Sequence, residues 1–237
     1  MCIREIFADY TELIEPLSLD EAYLDVSDMS LHQGSAALIA KAIKAKIKQK
    51  TRLIASAGIS YNKFLAKIAS DMDRPDGLYV ITPERCTQFI EQLSVEKFHG
   101  VGKATAGRMQ ARGIKNRERS KVTALTRFQQ YFGKSGQYYY HLSRDIDTRP
   151  VNNHRIRKSL EAETTFQEDI TSKEDVLEHL QNLLEKNLIK IADKKLDAHT
   201  LTVKIKYHKF VQITRSRTLP RAALQTHQPR VSFWKTY

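Results

Sequence analysis

The sequence sets two acids side by side in an otherwise apolar stretch, Ser18-Leu19-Asp20-Glu21-Ala22-Tyr23-Leu24-Asp25-Val26. Isolated buried carboxylates are costly unless they are paired or hold a metal. Hard divalent ions such as Mg2+ take oxygen ligands, commonly one or two carboxylates together with substrate phosphates. In two-metal phosphoryl transfer one ion activates the attacking oxygen and the other stabilises the leaving group. Asp20 and Glu21 are therefore the candidate catalytic and metal-binding residues. Successive strand residues point to opposite faces, so both reach one site only if the chain bends and re-aims one of them. Taken alone, the pair is explained somewhat more simply as solvated turn acids.

Cations follow in a suggestive order. Lys63 and Lys67 lie one helical turn apart in Asn62-Lys63-Phe64-Leu65-Ala66-Lys67-Ile68-Ala69-Ser70-Asp71, and Arg74 sits in the loop beyond, Arg74-Pro75-Asp76-Gly77. Such cations suit a nucleotide triphosphate or a nucleic-acid backbone, although solvated lysines on a helix face give the same spacing. In Phe98-His99-Gly100-Val101-Gly102-Lys103, Gly100 and Gly102 flank a hydrophobic residue and open a helix, so that backbone N–H groups can approach a phosphate closely. Plain turns share the pattern, but Lys103 and its basic surroundings favour DNA. Near the C-terminus, Leu201-Thr202-Val203-Lys204-Ile205-Lys206-Tyr207 alternates strictly. Leu201, Val203, Ile205 and Tyr207 are expected inward, and Thr202, Lys204, Lys206 and His208 outward. Lys204 and Lys206, with Arg215 and Arg217 in the next strand, are expected to make salt-sensitive, sequence-independent phosphate contacts. Edge lysines that discourage aggregation are the alternative.

The elements that must hold these residues are legible in outline. Met1 to about Thr11 reads as the end of a helix, and Ile14–Ser18 and Ala22–Val26 as strands meeting at a bend. Ser35 to Lys50 has isoleucines at 39, 43 and 47, a helix with its lysines turned away. Leu53–Ile59 and Leu78–Ile81 are strand candidates around a helix over Asn62–Asp71, with Phe64, Leu65, Ile68 and Met72 on its inner face. From Thr82 to about Ile146 the pattern is short helices and tight turns. Thr148–Arg157 is polar and reads as a linker. Ser172, with Asp175 three residues on, caps a long helix carrying Val176, Leu177, Leu180, Leu184, Leu188 and Ile191.

Composition narrows the partners. A formal net charge of +12 over 237 residues favours a polyanion, nucleic acid first. After Asp197 there is no further acid, while Lys204, Lys206, Lys209, Arg215, Arg217, Arg221, Arg230 and Lys235 follow. Cys2 and Cys86 have no partners at metal or disulfide-framework spacing and are expected to behave as small hydrophobes. No apolar run is long enough to span a bilayer and no signal peptide is apparent, so a cytoplasmic location without membrane contact is expected.

Taken in order, Ser18-Leu19-Asp20-Glu21-Ala22-Tyr23-Leu24-Asp25-Val26, Ala55-Ser56-Ala57-Gly58-Ile59, Asn62 to Asp71 and Gly100-Val101-Gly102-Lys103 closely resemble the Y-family, the lesion-bypass DNA polymerases. The resemblance runs to about Leu219. It implies an α+β multidomain chain: a partial palm over 1–81 (a sheet with helices), a small helical thumb with a helix-hairpin-helix over 82–147, a linker over 148–156, and a partial α+β little-finger DNA-binding domain over 157–237. It further implies Mg2+-dependent, template-directed nucleotidyl transfer to a primer end, with error-prone bypass of damaged template. Asp20 would bridge two Mg2+ ions and Glu21 would bind the ion that activates the primer hydroxyl. Arg74 would stand near the nucleotide phosphates, where the family usually has lysine. The implied partners are primer-template DNA and deoxynucleoside triphosphates, with the protein a monomer. The family's first catalytic aspartate and fingers precede the opening helix, and its C-terminal peptide for the sliding clamp has no counterpart beyond Pro220, so both ends are expected to be incomplete. A non-catalytic DNA-binding role is the competing expectation. A base-excision glycosylase is disfavoured, because no Gly-Pro-Asp segment follows Lys103.

Overall fold

A computed structural model describes residues 3–91, 93–154 and 157–219, and the chain divides into two compact units, Met1–Arg155 and Ile156–Tyr237. In the first unit, α1 (Ile3–Ala8) lies against α2 (Ala36–Thr51). The four-residue spacing of Ile39, Ile43 and Ile47 gives α2 one apolar face, and these side chains form a buried cluster with Ile6. Ser35 caps α2 by accepting from Leu38 N, and Arg52, at φ 63°, ends it in the left-handed conformation.

Two short strands, β1 (Ile14–Pro16) and β2 (Ala22–Leu24), pair antiparallel. β3 (Ala57–Ser60) and β4 (Leu78–Ile81) pair in parallel, which requires a crossover, and α3 (Lys63–Ser70) provides it. Asn62 starts α3 by accepting from Leu65 N at 2.9 Å. The strand expected over Leu53–Ile59 begins only at Ala57, because its partner offers pairing from Leu78 onward; Leu53 and Ile54 are more than half exposed. Met72, expected on the inner face of α3, is exposed as well, since the helix has already ended at Ser70.

α3 is also the floor of a larger core. Phe64, Leu65 and Ile68 share one buried cluster with Ile81, Val95, Phe98, Met109, Phe128 and Leu142. The other contributors come from β4, α4 (Pro83–Glu91), α5 (Lys103–Gln110) and, beyond α6 (Arg117–Val122), which adds none among the described side chains, from α7 (Leu125–Phe132), α8 (Lys134–Leu142) and the turns between them. Phe64 meets Phe98 edge to face, with ring centroids 5.4 Å apart. The change of character at Thr82 is therefore not a gap in packing.

The polar stretch after Ile146 begins as a strap rather than a tether. Pro150 O accepts from Lys63 Nζ at 3.1 Å, Asn152 N donates to Glu15 Oε2 at 2.7 Å, and Asn153 Nδ2 donates to Glu12 O at 3.3 Å. A segment with little to bury is held here by hydrogen bonds to half-buried charge.

The second unit contains α9 (Lys173–Asp193), capped by Ser172 accepting from Asp175 N, and the antiparallel pair β5 (Thr200–Lys206) and β6 (Gln212–Thr218). Leu201, Val203 and Ile205 are half-buried and alternate with exposed Thr202, Lys204 and Lys206, as expected. Tyr207 is instead half exposed, because it opens the turn that closes with its N–H on Val211 O at 2.9 Å. A groove of about 310 Å³ is lined by Val176, Leu177, Leu180, Val203, Ile205 and Arg215. Among the described residues no helix is long and apolar enough to cross a membrane. Cys2 and the basic residues Arg221, Arg230 and Lys235 lie outside the described residues, and Cys86 is buried.

Candidate active site and nucleic-acid interface

The bend between β1 and β2 is built by Ser18. Its hydroxyl donates to Asp20 Oδ1 at 2.6 Å and accepts from Glu21 N at 3.1 Å, while Leu17 N and Ser18 N both reach Glu21 O. This local knot pushes Leu19 fully into solvent and breaks the strand alternation, so that Asp20 stands on the turn and Glu21 begins β2's approach. The bend that the two acids require is thus present. Asp20 is exposed, and the Ser18 hydroxyl holds its carboxyl below the usual range.

Glu21 faces α3. Its Oε1 accepts from Lys67 Nζ at 2.9 Å and lies 3.5 Å from Arg74 Nη2. The Lys67 ammonium, with Arg74 behind it, outweighs partial burial and holds the Glu21 carboxyl below its usual range. Asp71 completes the cluster, 2.7 Å from Arg74 Nη2 and 3.6 Å from Lys67 Nζ. Sequence reasoning missed Asp71, although its position four residues after Lys67 and three before Arg74 is the spacing at which helix neighbours pair. The site is a partly exposed set of carboxylate oxygens interleaved with two cations. Such oxygens are the donor type that Mg2+ accepts, and the cations are of the kind that hold phosphate.

Lys63 does not belong to this cluster, contrary to expectation. Its side chain is only 9% exposed and donates to Glu15 Oε2 at 2.5 Å, besides Pro150 O. Its ammonium also lies over the Tyr23 ring, 5.1 Å from the centroid. The reason is helical: Lys63 is the first residue of α3, where its side chain turns down toward β1 and the strap, while Lys67 one turn later projects to the bend. Burial raises the Glu15 carboxyl, but Lys63 and the Asn152 N–H outweigh it and leave it below the usual range. A neighbouring node was also missed. Asp147, 2% exposed, accepts from Phe64 N at 3.0 Å and is gripped by Arg149 through Nε at 2.6 Å and Nη2 at 2.7 Å. It satisfies an N-terminal donor of the helix that carries Lys67.

The Gly100-Val101-Gly102 turn forms as read. Gly100 sits at φ +84°, where a side chain would be strained, Val101 is buried, and Gly102 is the residue from which α5 starts at Lys103. Val101 N bonds Phe98 O at 2.9 Å, and Tyr138 Oη donates to His99 O at 3.2 Å. Lys103 is exposed. Burial, helped by Arg149 and Lys67, lowers the His99 imidazole's proton affinity.

In the second unit the register separates the four expected phosphate contacts into two pairs. Directly paired residues share a face. Thr200 pairs with Thr218, Thr202 with Ser216, Lys204 with Thr214 and Lys206 with Gln212, giving one open face of hydroxyls and two lysines. The Thr202–Ser216 oxygens are 2.9 Å apart and the Thr200–Thr218 oxygens 3.1 Å. Arg215 and Arg217 pair with Val203 and Leu201, so they lie on the opposite face, and Arg215 lines the groove beside α9. They do not extend the lysine ladder.

The impB/mucB/samB family matches residues 1–71, and the C-terminal domain of that family matches residues 157–230, which continues past Leu219, where the motif resemblance fades. The chain is 50% identical over 214 residues to a DNA polymerase IV of Alkalilimnicola ehrlichii, covering 90% of this chain and 60% of that protein. It is 52% identical over 214 residues to DNA polymerase IV 3 of Mesorhizobium japonicum, covering 90% and 59%. The chain thus spans about three-fifths of the length of the curated relatives it matches. Among solved structures, a Y-family DNA polymerase chimera superposes with a TM-score of 0.77 at 25% identity, covering 92% of this chain and 62% of that one. DinB from Sulfolobus solfataricus superposes with a TM-score of 0.58 at 23% identity, covering 93% and 64%, a likeness of fold. The chain belongs to the Y-family of DNA polymerases, with the DNA polymerase IV proteins as its relatives.

Proposed function

We propose that the chain serves template-directed, error-prone synthesis past damaged template, by Mg2+-dependent nucleotidyl transfer to a primer 3′-hydroxyl. One observation carries this reading: the Ser18 knot turns Glu21 toward Lys67 and Arg74, so that carboxylates and phosphate-binding cations meet at one bend. In this reading residues 1–81 are palm, 82–147 thumb, 148–156 linker and 157–237 little finger, and the protein works as a cytoplasmic monomer. Asp20 and Glu21 would hold Mg2+, which supplies activation of the primer hydroxyl and charge neutralisation at the phosphates. The residues' own tasks are distinct. Glu21 is kept ionised by Lys67 and Arg74, and those cations are kept oriented by Glu21 and Asp71 until phosphate replaces the carboxylates as their partner. Gly100, Gly102, Lys103, Lys204 and Lys206 would meet the primer-template backbone, with Arg215 and Arg217 at most contributing from the other face.

A second reading, DNA binding without catalysis, is favoured by the donor count: among the described residues no group of three or more His, Cys, Asp or Glu is placed to hold a metal ion. Primer extension with Mg2+ separates the two. Little or no extension is expected from these 237 residues alone, and extension is expected once a segment bearing a further aspartate is supplied in cis. That extension should vanish in Asp20→Ala. Restored extension that survives Asp20→Ala would sink the assignment.

A further inference from the structure

We infer that Lys44 is a positioning residue, which holds the loop that presents Arg74 to a nucleoside triphosphate. This rests on the phosphate-binding reading of Arg74 and adds a residue that nothing in the motif pattern marks. α2 carries lysines at 41, 44, 46, 48 and 50, all read from the sequence as its solvent face. Lys44 is different: its side chain is 15% exposed, against 65% for Lys48. Its Nζ donates to Asp76 O at 2.7 Å and to Gly77 O at 2.9 Å, and pairs with Asp76 Oδ1 at 3.2 Å. Three acceptors match the three donors of an ammonium.

The loop needs such a centre. Asp76 sits at φ +54°, and a Cβ on Gly77 would overlap the Asp73 backbone, so the chain turns back on itself within Arg74-Pro75-Asp76-Gly77. The turn aims two consecutive carbonyls at one point, and Gly77 O additionally accepts from Ala57 N at 3.0 Å. Without a cation there, the converging carbonyl dipoles would repel one another, and Asp76 O would lose its Lys44 donor while Gly77 O kept only Ala57 N. At the near end of the loop Arg74 keeps Nε on Ser70 O at 3.3 Å, while its side chain remains 53% exposed beside Glu21. Its guanidinium is oriented by Ser70 O, Asp71 and Glu21 yet half open to solvent, while Lys44 fixes the far end of the same loop at Asp76 and Gly77. Releasing the anchor would make Arg74 lose conformational freedom on meeting a phosphate, which weakens binding without removing a contact.

The test is calorimetric titration of the 237-residue chain with dATP in the presence of Mg2+. Arg74→Ala is expected to weaken binding about tenfold, the range for losing a charge-assisted contact. Lys44→Met should weaken it about fivefold, Lys44→Arg by no more than about twofold, and Lys50→Met, an exposed lysine of the same helix, not at all. The decisive arm is a double-mutant cycle: in the Arg74→Ala background, Lys44→Met should have no further effect. If Lys44→Met loses the same factor with or without Arg74, the lysine supports the fold only and the inference fails. It also fails if Lys44→Met binds dATP like the parent while Arg74→Ala does not. Unchanged binding by Arg74→Ala, or no binding by the parent chain, overturns the reading of Arg74 itself and the inference with it. Should Lys44→Met not fold, Asp76→Asn removes the carboxylate charge that Lys44 and the exposed Lys48 share but leaves the carbonyl contacts, and should cost about twofold, again only when Arg74 is present.

Discussion

Two regions looked alike in the sequence, lysines at regular spacing with an arginine or two nearby, and they differ in kind. Around α3 every cation of the motif has an acidic partner: Lys63 with Glu15, Lys67 with Glu21 and Asp71, Arg74 with Asp71 and Glu21. On the β5–β6 face, Lys204 pairs at 3.6 Å with Glu161, both side chains more than half exposed, and Lys206 lies over the Phe210 ring. Around α3, then, cations and acids hold one another in place, so binding a polyanion means exchanging partners. The β face is already open to a polyanion. Spacing marks which residues share a face, but whether a charge is spent internally depends on what the fold lays against it.

The largest effect that tests this contrast is on stability. Lys63→Met leaves Glu15 partly buried without its cation and should destabilise the first unit by about 3 kcal/mol in urea unfolding. It should leave the salt dependence of DNA binding untouched. A changed salt slope with unchanged stability would return Lys63 to the phosphate-binding set. Asp147→Ala comes next, at about 2 kcal/mol, because it strands the Phe64 N–H and the Arg149 guanidinium together. Its loss should appear in hydrogen exchange first at the start of α3.

Lys204→Ala and Lys206→Ala are the opposite case. Each should lower the slope of log K against log salt for primer-template binding by about 1. Each should move stability by no more than about 0.5 kcal/mol. Arg217→Ala should change that slope less than either, since it faces away from the ladder. Equal slopes for all three would mean that both faces of the sheet meet the nucleic acid.

The smallest effect concerns pH. Glu15 and Glu21 both have carboxyls held below the ordinary value of 4.5 in the folded chain. Their stabilising contribution is therefore complete above the unfolded value and is lost as pH falls through the folded values. The thermal midpoint should be flat from neutral pH to about pH 5 and fall below that. Glu15→Gln should shallow the acid-side fall, and a midpoint that already began to drop as pH fell below the ordinary imidazole value of 6.5 would point to His99 in place of the carboxylates.

Much of this was readable before any fold was known. The isoleucine spacing of α2, the Ser172 cap, the glycine turn before α5 and the alternation of β5 are local properties, because each depends on residues within a few positions of one another. The adjacent acids and their need for a bend were readable for the same reason. What the chain alone could not reveal were pairings across distance. That Lys63 belongs to Glu15 and the strap while Lys67 belongs to Glu21, that Asp147 caps α3 from more than eighty residues away, that Lys44 turns from its helix into the carbonyls of a distant loop, and that the strand register sends Arg215 and Arg217 to the far face, all follow from which elements the tertiary structure brings into contact. Residue type and spacing determined the elements and the chemistry on offer. Only the fold could decide which charges neutralise each other and which remain for a partner, because Coulombic and hydrogen-bond contacts act over a few ångströms of space whatever their separation along the chain.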